Sequence, residues 1–526
     1  MNAKAQVATL LLITIVMSVS AQQNPARSGQ ARKAGSGGSV VHSKSSGPAA
    51  QRPANTFITA RLLETSGAVS TSPVTQLTSR DSLELAIRIA SPEAGRIVQD
   101  TVLAAIGVNV LTLSNGVKVM LKSTRFQPGQ VIFQAFSPGG SSLYDDNNFQ
   151  SASNATRVIS QSGLANLDAG QLARAIEGSQ LEIQTFIGER SEGLNGIAAK
   201  AELEKALQLI HLSFTAPRRD TAVFRQLVQQ WKQELNGSPR EGDGLFNDTL
   251  SALLSGYNIR RTALTDNKID QIRFERIHKI YNDRFGDASD FVFVFVGDFD
   301  AGQLKPQLEL YLGSLPGTGR QETARDLAIH APEGKFRREW RVGNADQAKV
   351  RMVMDGEYEY SRRKGAELMA IAEILQRKLR EKLKESDTGS ELPRVTIEFS
   401  KFPTARYSFK VSFGANPAKV EKMIAAAEVE IRRLKVFGPS VDDLDRFING
   451  QMDATDDAIL HNTFWLEYLA KQYQDQEELT EVVRSFDMLN KLDRESIRQS
   501  ANLYLGESNL ITLLWLPEQA VLTATK

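Results

Sequence analysis

Phe291-Val292-Phe293-Val294-Phe295-Val296-Gly297-Asp298-Phe299 is an almost unbroken run of aromatic and β-branched residues. Its length suits a strand, and it is apolar on both alternating faces, as a strand buried between two layers must be. Asn509-Leu510-Ile511-Thr512-Leu513-Leu514-Trp515-Leu516 repeats the pattern later in the chain. Working outward from the two runs exposes a shared layout. Upstream of the first, Leu111-Thr112-Leu113-Ser114-Asn115-Gly116-Val117-Lys118-Val119-Met120-Leu121 sets two apolar stretches around Asn-Gly, a hairpin signal. Val131 to Phe136 reads as a third strand. Apolar periodicity then predicts helices near 150–163, 169–178, 199–214, 220–236, 246–254 and 268–284, with another near 301–312 after the run. Upstream of the second run come a strand at Lys349–Met354, a long helix at 361–385 and strands at Val395–Phe399 and Tyr407–Phe413. Helices follow near 417–436, 440–458, 460–474 and 493–504. Strands, helices and a closing buried strand thus occur twice. The expectation is an α+β fold of two homologous domains related by duplication, each a mixed β-sheet covered by helices. The first domain is placed at 105–318, a polar linker at 319–346 and the second domain at 347–518.

The hydrophobic share of 41% and charged share of 24% are those of an ordinary globular chain, long enough at 526 residues for more than one domain. A formal net charge of +1 gives no global pull toward nucleic acid or an acidic surface. With no cysteine, the chain uses neither disulfides nor thiolate ligands. Lys4, an apolar run from Ala8 to Met17, and the small residues Val19 and Ala21 predict a secretory signal at 1–21. About ten apolar residues is too short for a permanent span. The expected destination is a bacterial periplasm or the cell exterior. Residues 22–55 are rich in Gly, Ser and basic residues and nearly devoid of apolar ones, which predicts a disordered linker. A plain spacer is the better reading of that linker than an envelope or membrane contact. Residues 56–104 read as a lead-in segment.

Several segments together carry a resemblance. In the first domain they are Leu113-Ser114-Asn115-Gly116-Val117, Ala135-Phe136-Ser137-Pro138-Gly139-Gly140, Phe214-Thr215-Ala216-Pro217-Arg218, Asp287-Ala288-Ser289-Asp290 and Gly313-Ser314-Leu315-Pro316-Gly317. In the second they are Ser400-Lys401-Phe402-Pro403, Tyr407-Ser408-Phe409, Ser412-Phe413-Gly414, and Asn462 with Trp465-Leu466. The chain resembles the pitrilysin/insulinase family of zinc metallopeptidases, specifically the C-terminal, non-zinc half of bacterial members, over about residues 105–518. The resemblance implies half of a four-domain clamshell, peptide binding by strand addition, and closure on a zinc-bearing half.

The resemblance also says where chemistry should sit. Counting back from Gly163, the family's zinc helix falls on Ser151 to Gly163. Its His-x-x-Glu-His positions are occupied by Asn154, Arg157 and Val158, with Asn and Val in place of the ligands and Arg in place of the general base. Glu234 is the carboxylate that could match the downstream third ligand, but alone it holds no metal; a solvated helix face is the better reading. Active members also carry an Arg and a Tyr that contact the substrate carbonyl and the tetrahedral intermediate. Aligned on Gly389, these positions hold Lys384 and Glu391; an alternative register uses Arg380 and Asp387. Lysine loses the planar fork, and a glutamate beside a developing oxyanion opposes catalysis. The five histidines, His42, His211, His278, His330 and His461, include no pair within one helical turn.

Other chemistries lack their motifs: neither a Gly-x-Ser-x-Gly elbow nor a Walker-type phosphate loop is present. Asp442-Asp443-Leu444-Asp445, with Asp453, Asp456 and Asp457, does not fit a calcium loop and reads as a solvated helix face. Arg260-Arg261 and Arg362-Arg363-Lys364 read as solubilising surface, and Phe464, Trp465, Tyr468 and Tyr473 as core. The leading expectation is an exported, non-catalytic insulinase-like subunit that binds unfolded peptides and pairs with a separate zinc-bearing half. On this reading the zinc sits on the partner and the chain itself binds no cofactor. The alternatives are a stand-alone peptide- or envelope-binding protein, and a self-sufficient metallopeptidase with a non-standard site.

Overall fold

Alternation decides the sheets. Along β7 (Val292–Gly297), Phe293 and Phe295 point to one face while Val292, Val294 and Val296 point to the other, and all are buried. The computed structural model describes residues 92–237, 242–342, 347–383 and 391–518. The predicted signal, the basic linker and most of the lead-in segment lie outside these residues, as does Lys384.

The first sheet contains β1 (Ile97–Leu103), β2 (Val108–Leu113), β3 (Lys118–Ser123), β4 (Gln130–Pro138), β5 (Glu182–Ile187), β6 (Ser191–Ala199) and β7, in the order β1-β2-β3-β7-β4-β6-β5. The second contains β8 (Phe336–Arg341), β9 (Ala348–Glu357), β10 (Arg394–Ser400), β11 (Arg406–Ala415) and β12 (Leu510–Leu516), in the order β10-β11-β9-β12-β8. The duplication is visible in the pairing. β3 runs parallel to β7, which is antiparallel to β4, then β6, then β5. β8 runs parallel to β12, which is antiparallel to β9, then β11, then β10. The hairpin β1–β2 is an addition outside β3.

Four strands escaped the sequence reading. β1 lies in the predicted lead-in segment, β5 and β6 occupy a stretch assigned to no element, and β8 lies in the predicted linker. β6 carries Gly193 and Gly196, poor strand formers, because its neighbours leave no room for side chains. A Cβ on Gly193 would sit 1.9 Å from the Ala135 carbonyl oxygen, and one on Gly196 would meet the Phe133 ring at 2.3 Å. β8 reads Phe-Arg-Arg-Glu-Trp-Arg and is an edge strand, where charge replaces the apolar signal. The predicted helix at 268–284 is broken into Asp266–Asp270 and Phe274–Phe285.

Each sheet has a helical layer of its own on one face. In the first domain, Phe133, Phe293 and Phe295 pack against Ala155, Val158, Ile210, Ile277 and Leu308 from four helices. In the second, Val350, Met352, Phe409 and Phe413 meet Ile371, Leu375, Ile424 and Ile497. The opposite faces are covered reciprocally. The third helix after β6, Asp243–Leu254, lies on the second sheet, where Leu250, Leu253 and Leu254 pack on Val353, Ile511 and Leu513, and the Phe246 ring lies tilted against Trp515 with centroids 5.2 Å apart. Its topological counterpart after β11, Asn462–Gln474, lies on the first sheet. There Phe464, Trp465, Tyr468 and Leu469 pack on Met120, Ile132, Phe136, Val292 and Val294. Each domain completes the core of the other.

Candidate functional site

The helix Asp146–Ser162, which holds the zinc-motif positions, begins where Asp145 accepts a hydrogen bond from the Asn148 amide and ends at Gly163. Ala152, Ala155, Val158 and Ile159 form its buried stripe. Val158 is therefore a core residue, fully buried in the first domain. Asn154 is half-buried and gives its amide to its own helix, Nδ2 donating to the Gln150 carbonyl at 2.9 Å. Arg157 is exposed and lies over the Trp231 ring, 5.1 Å from its centroid. Trp231 belongs to the helix Thr221–Gly237, which also carries Glu234. That helix therefore lies against the motif helix, but Glu234 is exposed and accepts from Gln230 Nε2 at 2.8 Å. These residues do not fit zinc: an amide bonded to its helix, a stacked guanidinium and a buried isopropyl group offer no ligand set. Among the described residues no cluster of three His, Cys, Asp or Glu side chains is placed to hold a metal ion.

Glu391, which the resemblance aligned on Gly389 puts at the tyrosine position, precedes β10 and forms an ion pair with Arg351 Nη2 of β9 at 2.6 Å. Arg351 lies over the Phe246 ring at 5.1 Å, and Lys349 pairs with Asp243. This locus is thus part of the seam where the first domain's helix Asp243–Leu254 sits on the second sheet. Its charges neutralise one another, and burial lowers the Lys349 pKa, with Glu391 opposing.

Two of the segments that carried the resemblance in the first domain, 135–140 and 287–290, meet in one buried polar network. Glu192 of β6 is fully buried; its Oε2 accepts from the Gly140 amide at 2.6 Å, and its Oε1 lies 3.4 Å from Arg284 Nη1. Arg284 is 2% exposed and spends every donor. Nη1 and Nη2 hold Glu322 at 2.8 and 3.1 Å, Nη2 also donates to Asp283 at 2.9 Å, and Nε donates to the Tyr144 hydroxyl at 2.9 Å. Asp290 accepts from Ser137 Oγ at 2.8 Å and from the Glu322 amide at 3.0 Å. Burial pushes the Glu192 carboxyl up to about 8, against the pull of Arg284, and raises Asp290 as well. Glu192, Arg284 and Glu322 were not singled out from the sequence. One signal for Arg284 existed: it continues the stripe of Ile277 and Tyr281, which buries its side chain.

Two surface readings need correction. Arg260 is not a solubilising residue. It is buried and clamps the start of the motif helix, Nε pairing with Asp146 at 2.7 Å, Nη1 donating to the Ser141 carbonyl at 3.1 Å and Nη2 to the Tyr144 carbonyl at 2.6 Å. Asp443 is not solvated: it closes a capping box with Ser440 and pairs with Arg377 at 2.8 Å. Phe464, Trp465 and Tyr468 are core residues, at the junction of the two domains.

Residues 271–451 match the family model described as the peptidase M16 inactive domain. A relative from Arabidopsis thaliana, described as zinc protease PQQL-like, is 23% identical over 404 residues, which is 73% of this chain and 39% of the relative. The crystal structure of the periplasmic protease PqqL from Escherichia coli superposes with a TM-score of 0.72 at 17% identity, over 86% of this chain and 49% of that one. The peptidase M16 inactive domain from Pseudomonas fluorescens superposes with a TM-score of 0.63 at 17% identity, over 80% of this chain and 100% of that one. The chain spans at most about half the length of the full-length proteins it matches. The resemblance read from the sequence holds: the chain is similar to the inactive, non-zinc part of these peptidases, and its fold is that of half a clamshell.

Proposed function

We propose that this chain is an exported, non-catalytic subunit of an insulinase-like metalloendopeptidase, gripping unfolded peptide and pairing with a separate half that carries the zinc. The observation that carries this reading is the helix Asp146–Ser162. It has the setting of a zinc helix within a peptidase-like fold, but Val158 is built into the core and Arg157 is stacked on Trp231. Glu391, tied to Arg351, belongs to the domain seam rather than to an oxyanion pocket. Peptide would add to the edge of β5, the strand that lies beside this helix at the end of the first sheet. The expected outcome is cleavage of unstructured peptides only when the purified chain is mixed with a zinc-bearing homologue from the same cells, with metal on that homologue alone. Stoichiometric zinc and activity in the lone chain would overturn the reading.

A second reading is a stand-alone peptide-binding protein. It is favoured by the edges of β5 and β10, which no strand of the described residues covers. Peptide binding without activity in any mixture, and without a zinc-bearing protein in pulldowns, would select it.

A further inference from the structure

Residues 318–326 form a strap held to the first domain by three aspartates, two serine hydroxyls and Arg284. Asp287 accepts from the amide and hydroxyl of Thr318, and Ser289 Oγ accepts from the Gly319 amide at 2.8 Å. Asp283 accepts from Arg320 Nη1 at 3.3 Å, Asp290 accepts from the Glu322 amide, and Ser142 Oγ accepts from the Arg325 amide at 2.9 Å. The strap's own anchor is the Glu322 carboxylate, bidentate on Arg284. Asp326 then takes the Thr404 hydroxyl, reaching the β10–β11 hairpin of the second domain.

Two carboxyls compete for one guanidinium. Arg284 Nη1 stands 2.8 Å from Glu322 but 3.4 Å from Glu192, so the fully buried acid holds the weaker share. The ionisable groups around Glu192 are Tyr144 from the turn after β4, Asp283 and Arg284 from the helix Phe274–Phe285, Asp287 and Asp290 from the turn after it, and Arg320 and Glu322 from the strap. On its own hairpin, Glu189 pairs with Arg261 and Arg190 donates to the Phe402 carbonyl. Five carboxyls thus face two guanidiniums, and a fully ionised network would carry an uncompensated negative charge in a buried place.

We propose that the strap is a latch opened by ionisation of Glu192: the newly charged, buried carboxylate takes Arg284, and Glu322, which can be rehydrated, lets go. Burial holds the Glu192 carboxyl at about 8, so the latch is closed at neutral pH and loosens on the alkaline side. The sign follows from the folded value lying above the ordinary carboxyl range: the folded form binds the extra proton, and the stability this gives is lost as pH rises through that value.

Arg320 and Arg325 make the strap a trypsin substrate when open. The test is the rate of trypsin nicking at these two residues in the full chain between pH 6.5 and 9, divided by the rate for a free peptide of residues 316–330. The wild-type ratio is expected to rise by up to about tenfold per pH unit as pH approaches the ionisation and to level off above it, since nicking follows the open population. Glu192→Gln, which keeps the shape and removes the charge, gives a low, flat ratio; Glu322→Gln gives a high ratio at every pH. Hydrogen exchange at the Thr318, Gly319 and Glu322 amides of the wild type reads the same opening without a variant. A flat wild-type ratio with pH-independent protection, or a Glu192→Gln profile that follows the wild type, overturns the proposal.

Discussion

Val158 decides what its helix can hold. A histidine there would put an imidazole into a site lined by the first domain's apolar core, with a polar nitrogen left unsatisfied. Val158→His is expected to cost about 2–4 kcal/mol, read as a shift in urea midpoint. Arg157→Glu touches only an exposed cation–π contact and should cost no more than about 1 kcal/mol. Rebuilding the motif therefore weakens the fold before it could recruit metal. His278 makes a second residue-scale prediction. It is 3% exposed, and its Nε2 finds no hydrogen-bond partner among the described residues. Burial, aided by the charge of Arg219, lowers its pKa to about 4. The folded value lies below the unfolded one, so the folded form rejects a proton the unfolded form accepts. Stability present above the ordinary histidine range is lost as pH falls toward 4. The melting temperature of His278→Gln should fall less between pH 7 and pH 5 than that of the wild type. At this scale the sequence revealed what Asn154, Arg157 and Val158 lack, because the identity of a ligand is a local fact. It did not reveal Glu192 or Arg284, whose meaning comes from partners far along the chain.

At the scale of elements, legibility followed burial. β7 and β12 were readable because both faces are apolar, and the β2–β3 hairpin because Asn115-Gly116 marks its turn. β1, β5 and β8 are edge strands, and β6 is shaped by close approach, so the apolar signal is weak in all four. Gly193 tests the explanation for β6. Its missing Cβ would meet backbone atoms of Ala135 and Phe136, which cannot rotate away. Gly193→Val is expected to cost about 2–4 kcal/mol despite the higher strand propensity of valine, measured by the same urea titration. The reverse result would mean that β6 tolerates propensity-driven repacking.

Across the whole molecule, the two helices exchanged between domains carry the largest consequence. Phe246 and Trp465 are the aromatic anchors of the two exchanges, each set into the other domain's sheet. Truncating either to alanine should cost about 3–5 kcal/mol, and loss of the two domains should remain a single transition in calorimetry. Expressed apart, residues 92–318 and 319–518 are each expected to be insoluble, while co-expression should return a soluble pair in gel filtration. The sequence announced the duplication but not the exchange, since helix periodicity says that a face is apolar and not whose sheet it covers.

The exchange also sets an order of events during synthesis. Once the chain has been made through the helix Ala301–Tyr311, the first sheet has its own helices but a bare face of Ile132, Phe136, Val292, Val294 and Val296. The helix that covers it, Asn462–Gln474, is made only after most of the second domain. The nascent chain therefore waits with a sticky surface, and its yield is governed by whatever shields that surface until Trp465 arrives.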